Sequence, residues 1–366
     1  MNYESSDLQE APDLRDFVEE IFSFNSERAR SVRNAMTYQF TPKRKALNCQ
    51  GLTFEVILNH GRYNYVKETL GKLAQVEQAD QQMQDNAVVG ESVMPGQMRY
   101  KRSLRPHMPP PGMAACPFDD LEHSPLLIKR LSCNGKQYGL VVNNRPWGYH
   151  HCMLVTFDLE PHLMKEQELL ASFQLLRNLG SDYEGIFTGI LAGASVYHFH
   201  LQVHKGSSAI WGNLERGNVQ LKSFYFSKKV IAHWVQGWPA HFFVFEGSDC
   251  NGLACVVNQM IEALVAGDND YPYNIGFRCQ NNLIQLILFP KSGTSEKPTG
   301  LNDHPDSWGR FSFLEMGGSI YLLTPEGYEA NQRIYDAIAQ LSIQRLEMAA
   351  LITDFQERTH KDKSQF

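Results

Sequence analysis

Gly193-Ala194-Ser195-Val196-Tyr197-His198-Phe199-His200-Leu201-Gln202-Val203-His204 is the stretch on which the reading of this chain turns. Polar His198, His200, Gln202 and His204 alternate with apolar Phe199, Leu201 and Val203. Alternate side chains of a β-strand share a face, so the pattern predicts a strand over 197–204. Three imidazoles and an amide would line one surface while the apolar residues enter a core. Neutral imidazoles can attack, carry protons or bind metal. Purely structural histidines are the plain alternative, but each ring buried in such a row would need its own hydrogen-bond partner. The small residues ahead of the row let a ligand come close to the backbone.

A second element precedes it. Asn143-Asn144-Arg145-Pro146-Trp147-Gly148-Tyr149-His150-His151 runs into the apolar Cys152-Met153-Leu154-Val155. Pro146 interrupts any strand ladder and sets a turn, with a strand expected from 150 to 157.

Ser195-x-x-His198-x-His200-x-Gln202 resembles the signature of the transferase branch of the histidine-triad superfamily. That branch includes galactose-1-phosphate uridylyltransferase, diadenosine tetraphosphate phosphorylase and the GDP-hexose phosphorylases. Asn143, Pro146 and His151 are similar to that superfamily's Asp/Asn-x-x-Pro-x-x-x-x-His before a strand. Together the two motifs cover residues 138–206. Where the hydrolase branch carries histidine, this chain has Gln202.

The resemblance implies roles. His200 would attack the α-phosphate of a nucleotide and form a nucleotidyl-histidine adduct. Imidazole suits this, since its free pKa near 6.5 leaves it neutral often enough at pH 7. His198 would orient its neighbour or contact phosphate or metal, and Gln202 would donate its amide N–H to a phosphate oxygen without supplying a base. Ser195 would hold phosphate oxygens, Asn143 the ribose hydroxyls, and His151 would lie near the phosphates. His204 falls beyond the signature and is counted, with Lys205, among candidate phosphate contacts. Arg145 and Lys291 are further candidates for neutralising phosphate with weaker support, as is Lys205, since surface charge is the cheaper explanation.

Glutamine at 202 is expected to let the adduct survive until an acceptor arrives. The implied activity is therefore nucleotidyl transfer or phosphorolysis. The substrate would be a nucleotide, either a nucleoside-diphosphate sugar of the GDP-hexose type or a dinucleoside polyphosphate. Orthophosphate or a sugar phosphate would be the acceptor. Two alternatives stay open: a hydrolase of nucleotide conjugates in which His204 serves as acid or base, and a non-catalytic nucleotide- or metal-binding module.

Composition narrows the field. The chain has 366 residues, enough for two domains or one large α/β unit. Hydrophobic content of 43% and charged content of 20% are those of a globular protein. Net charge is −6 with no basic block, which argues against nucleic-acid partners. No stretch approaches the roughly 18–20 apolar residues of a membrane span, and the acidic start Met1-Asn2-Tyr3-Glu4 lacks an apolar signal region, so a cytoplasmic location is expected. Oligomeric state leaves no sequence signal.

Seven cysteines, with no Cys-x-x-Cys pair, argue against a disulfide framework. The uridylyltransferases often hold structural zinc through a cysteine pair that is missing here. No metal is expected as a requirement, at most magnesium alongside the substrate's phosphates. Cys116, His150, His151 and His198 are the residues from which a zinc site could be assembled.

The expected fold is α+β and histidine-triad-like, two tandem halves with antiparallel sheets flanked by helices, only the first catalytic. Residues 1–115 are read as an N-terminal extension, 116–230 as the catalytic half and 231–366 as a degenerate second half. In the extension, Leu14, Phe17, Ile21 and Phe22 repeat at helical spacing and Leu52–Leu58 reads as a strand. Residues 75–86 are glutamine-rich, and 95–117 cluster proline with Arg99, Lys101, Arg102 and Arg105. The catalytic half should carry strands near 137–143 and 185–190 and a helix over 162–179 stopped by Gly180. The second half repeats the order: strand at 242–245, helix at 252–266, strands at 273–277 and 283–290, but no histidine row. Thr324-Pro325 reads as a later helix start, continued by Ile334, Ile338 and Leu341.

Overall fold

The computed structural model describes residues 5–8, 13–23, 25–36, 40, 42–59, 118, 120–158, 160–189, 192, 194, 196, 198–265, 271–292, 312–322, 334–343 and 345–363. Ser195, Cys116, the segments 75–86 and 95–117 and the helix start at Thr324-Pro325 lie outside these residues. The strands are β1 (Ser5–Asp7), β2 (Pro42–Cys49), β3 (Leu52–Asn59), β4 (Leu127–Cys133), β5 (Lys136–Val142), β6 (Tyr149–Thr156) and β7 (Tyr183–Thr188). They continue as β8 (His200–Lys205), β9 (Gln220–Phe226), β10 (Val230–Gln236), β11 (Phe242–Gly247), β12 (Tyr273–Gln280), β13 (Leu283–Pro290) and β14 (Ser319–Leu322). Helices are α1 (Leu14–Ser23), α2 (Glu27–Ala35), α3 (Glu166–Leu179), α4 (Ala209–Glu215), α5 (Cys250–Leu264), α6 (Phe313–Met316), α7 (Ile334–Gln340) and α8 (Arg345–Lys363).

Eleven strands form one sheet in the order β1-β4-β5-β6-β8-β7-β12-β13-β11-β10-β9. Its centre is a repeat. A three-strand meander (β4-β5-β6), a helix (α3) and a hairpin (β7-β8) whose last strand pairs with β6 are followed by the same arrangement in β9-β10-β11, α5 and β12-β13. Equivalent strands β7 and β12 pair antiparallel, Gly276 facing Ile186, and join the two units edge to edge. Pairing with β10 places β9 in the second unit, although it precedes the boundary expected at residue 231. The N-terminal region is stitched into both layers: β1 runs parallel to β4, and β2-β3 form a small sheet with β14.

Local chemistry accounts for the hairpins. Asn134 and Gly135 (φ 48° and 80°) close β4-β5, and Asn281 and Asn282 (φ 51° and 63°) close β12-β13. These left-handed pairs match the right-handed twist of the strands they join. Gly180, at φ 85°, caps α3 as expected, its N–H bonded to the Leu176 carbonyl. The helix begins at Glu166 rather than 162 because Pro161 and His162 are drawn into the site.

Alternation along the strands sorts the two cores. Leu201 and Val203 of β8 join Leu169, Phe173 and Leu176 of α3, Leu253 and Val257 of α5 and Phe355 of α8 on one face. Each such burial is worth roughly 1.5–3 kcal/mol. On the other face Ile186, Val244, Ile287 and Phe289 pack with Trp147, Trp211, Phe313 and residues of the small sheet. A Cβ on Gly276 would lie 1.9 Å from Phe313 Cζ, so the seam between the units takes glycine there. The histidine row faces this second side. Among the described residues no helix is long and apolar enough to cross a membrane.

Candidate functional site

The expected strand over 197–204 starts at His200. His198 pairs instead with Pro161 as an isolated bridge, and the Phe199 N–H bonds to the Glu160 carbonyl. The β6 ladder has ended at Thr156, so the segment after it takes over as partner. His198 Nε2 lies 2.8 Å from the Thr156 carbonyl, which makes that nitrogen a donor. Its ring is held edge-on by Phe118.

His200 is buried at 7% exposure. Its Nδ1 lies 2.9 Å from the His198 carbonyl. A carbonyl only accepts, so Nδ1 carries the proton and Nε2 keeps a lone pair. Nε2 has no hydrogen-bond partner among the described residues. Burial lowers the pKa to about 4, so the ring is neutral at pH 7.

His162 was not read from the sequence as a site residue. It stacks on His200 at 4.3 Å and on Phe187 at 4.5 Å. Its Nδ1 accepts the backbone N–H of His200 (3.3 Å), and Nε2 donates to the Thr188 carbonyl (2.8 Å). Burial foremost, with His200 alongside, holds it well below the usual histidine pKa. The only signal in the sequence is Pro161-His162 ahead of a helix, and that carries no spacing relation to the row.

Gln202 sits across from Met153 of β6 and Ile186 of β7. Its Oε1 is 2.6 Å from Trp147 Nε1 and 3.1 Å from His151 Nε2. His151 is fully buried, and its Nδ1 accepts the Trp147 backbone N–H at 3.2 Å. Asn143 is turned inward beside it, Nδ2 lying 3.3 Å from His151 Nε2 and 3.8 Å from Met153 Sδ, while Oδ1 accepts the Arg145 N–H. The Asn143–His151 turn thus delivers both residues to the row.

His204 lies at the far end, its ring 4.7 Å from that of Trp147 and Nε2 3.3 Å from Glu184 Oε2. His204 Nε2 makes no hydrogen bond there. Glu184 is itself fixed by Ser208 and Trp211. A Cβ on Gly148 would stand 2.8 Å from His204 Cβ, so this approach needs glycine.

Lys205 does not join the group. It alternates to the opposite face and pairs with Glu19 of α1 at 2.7 Å, which holds that carboxyl below its ordinary pKa. His150, left-handed at φ 48° beside a β-bulge, likewise turns away and stacks on Phe22 at 4.9 Å. Lys291 is no surface lysine: it is 7% exposed, its Nζ 3.4 Å from the Ala192 carbonyl in the segment leading to the row. Burial lowers its pKa to about 8. Among the described residues no three His, Cys, Asp or Glu side chains converge as metal ligands.

The repeated meander–helix–hairpin unit with a histidine row on its inserted strand is the histidine-triad-like fold. The chain is similar in structure to the crystal structure of yeast Ap4A phosphorylase Apa2 in complex with Ap4A, with a TM-score of 0.56, 14% identity and coverage of 93% of this chain and 99% of that one. The same yeast enzyme in complex with AMP gives 0.54, 15%, 93% and 98%. No protein-family profile matches the sequence, and no curated protein matches it.

Proposed function

We propose that this chain is a nucleotidyltransferase that works through a covalent nucleotidyl-His200 adduct and passes the nucleotide to an acceptor phosphate. The observation that carries the reading is the state of His200: proton held on Nδ1 by the His198 carbonyl, Nε2 bearing the lone pair, pKa lowered to about 4. Such a ring attacks an α-phosphorus through Nε2, and the bond to the leaving group's bridging oxygen breaks. The adduct is then cleaved when an oxygen of orthophosphate or a sugar phosphate attacks the same phosphorus and His200 Nε2 departs.

Gln202 supplies an N–H to the phosphate oxygens and no base, which supports transfer over hydrolysis. No metal is required in this reading, with magnesium at most accompanying the phosphates. Donors to be tried are dinucleoside polyphosphates, which the fold likeness to the yeast phosphorylase supports, and nucleoside-diphosphate sugars.

Purified protein should be incubated with each donor, with and without orthophosphate. Phosphorolysis products are expected with phosphate, and without it a mass increase of one nucleoside monophosphate on His200. Fast turnover in phosphate-free buffer would move the assignment to a hydrolase, and no reaction with any donor would leave a binding module.

A further inference from the structure

Two donors converge on one atom of Gln202, and both come through a residue outside the signature. The Trp147 indole N–H is a donor and nothing else. The Trp147 backbone N–H occupies His151 Nδ1, so the neutral ring carries its proton on Nε2 and donates there to Gln202, which leaves the 3.3 Å approach of Asn143 Nδ2 to Nε2 as a contact without a hydrogen bond. Both face Gln202 Oε1, at 2.6 and 3.1 Å. An amide whose oxygen is claimed by two donors must present its NH2 in the other direction. Gln202 Nε2 has no hydrogen-bond partner among the described residues, so that end is available to a ligand.

Orientation matters because the two ends of an amide are nearly equal in shape and opposite in polarity. Turned the wrong way, Gln202 would set a carbonyl oxygen against the phosphate oxygens it is meant to bind.

We infer that Trp147 is the positioning residue that sets which end of the Gln202 amide faces the reacting phosphate. This rests on the nucleotidyl-transfer reading above. Trp147 acts through Gln202 and His151 and touches no reacting atom. Its ring is wedged between His151 at 4.3 Å and His204 at 4.7 Å, with Tyr321 at 6.0 Å. His204, backed by Glu184, therefore serves as the wall behind Trp147.

The test is a double-mutant cycle on adduct formation with W147F and Q202A, using the donor that labels His200. W147F keeps an aromatic ring and the backbone N–H and removes only the indole donor. It is expected to slow adduct formation about tenfold in the wild-type background and less than about twofold in the Q202A background. Donor affinity and Tm should stay near those of the parent. An equal loss in both backgrounds would assign Trp147 a structural role and overturn the inference.

A second readout needs no activity. In protein labelled with 15N-tryptophan, the indole resonance that W147F removes should shift in Q202A. A shift in protein that transfers no nucleotide would sink the proposed function and leave the orientation of Gln202 standing. Turnover without the shift would sink the inference alone.

Discussion

His162 and His200 lie ring on ring, 4.3 Å between centroids and 19° from parallel, and the backbone N–H of His200 donates to His162 Nδ1. Two neutral imidazoles can stack this way where two imidazolium rings would repel, so the pair is built for the uncharged state. Phe187 closes the stack from beyond. His200 Nε2 is aimed by three things at once: the His198 carbonyl, the strand and this neighbour.

Replacing His162 by leucine keeps apolar bulk against Phe187 but leaves the His200 N–H and the Thr188 carbonyl without their partner. Stability should fall by about 2–4 kcal/mol, from two orphaned buried groups. Adduct formation should slow about 10- to 100-fold, measured by the rate of mass increase under conditions where the variant is folded. An unchanged rate would show that the stack does not aim His200.

His200→Ala should lose about 10³-fold or more of turnover and all adduct, in line with removing a covalent nucleophile. Gln202→His should raise the share of nucleotide released to water, since a second imidazole supplies the base that glutamine lacks. Near-wild-type turnover in the first variant would remove His200 from the mechanism. An unchanged partition in the second would remove the explanation for transfer.

The low pKa of His200 fixes the direction of the pH response. Its folded value is about 4 against about 6.5 in the unfolded chain. Between those values the unfolded state binds more protons, so stability is full above about pH 6.5 and is lost as pH falls toward 4. His162 is shifted in the same direction and adds to the loss. Chemical denaturation at pH 7 and pH 5 should show wild type losing more stability than His200→Asn. Adduct formation at a fixed folded fraction should not follow a pKa of 6.5. A midpoint there would mean that His200 is not the titrating nucleophile.

Gly148→Ala places a methyl group 2.8 Å from His204 Cβ, closer than carbon atoms pack. The strain should cost about 1–3 kcal/mol of stability. Because His204 stands behind Trp147, the donor to Gln202 moves with it, and adduct formation should fall more than in a surface glycine variant such as Gly217→Ala. Equal effects in the two would argue that the wall does not matter.

Activity should survive EDTA, and metal analysis of the purified protein should find less than stoichiometric zinc. Of the residues named for a zinc site, His150 stacks on Phe22, His151 is engaged by Trp147 and Gln202, and His198 by Thr156, while Cys116 lies outside the described residues. Loss of activity in EDTA together with one zinc per chain would overturn this expectation.

Much of the unit that carries the histidine row was legible in the sequence because strand alternation and turn chemistry are local. Period two placed His200 and Gln202 on one face and Leu201 and Val203 in the core, and Pro146 marked the turn that delivers His151. The order of elements also exposed the repeat, although β9 and β10 were not read as its first strands. Lys205 follows the same alternation onto the other face, so its place was available from period two, but its bond to Glu19 was not.

What only the tertiary structure decided is which lone pairs remain. His162 enters the site from the segment before α3, and Trp147 reaches Gln202 because a turn folds back over β8. The pairing of β7 with β12 brings Lys291 of the second unit against the segment that leads to the row. A sequence pattern assigns residues to faces, because side-chain direction along a strand is set by backbone geometry alone. Tautomers, amide orientation and pKa depend on partners far apart in the chain, and the folded packing alone brings those partners within hydrogen-bond distance.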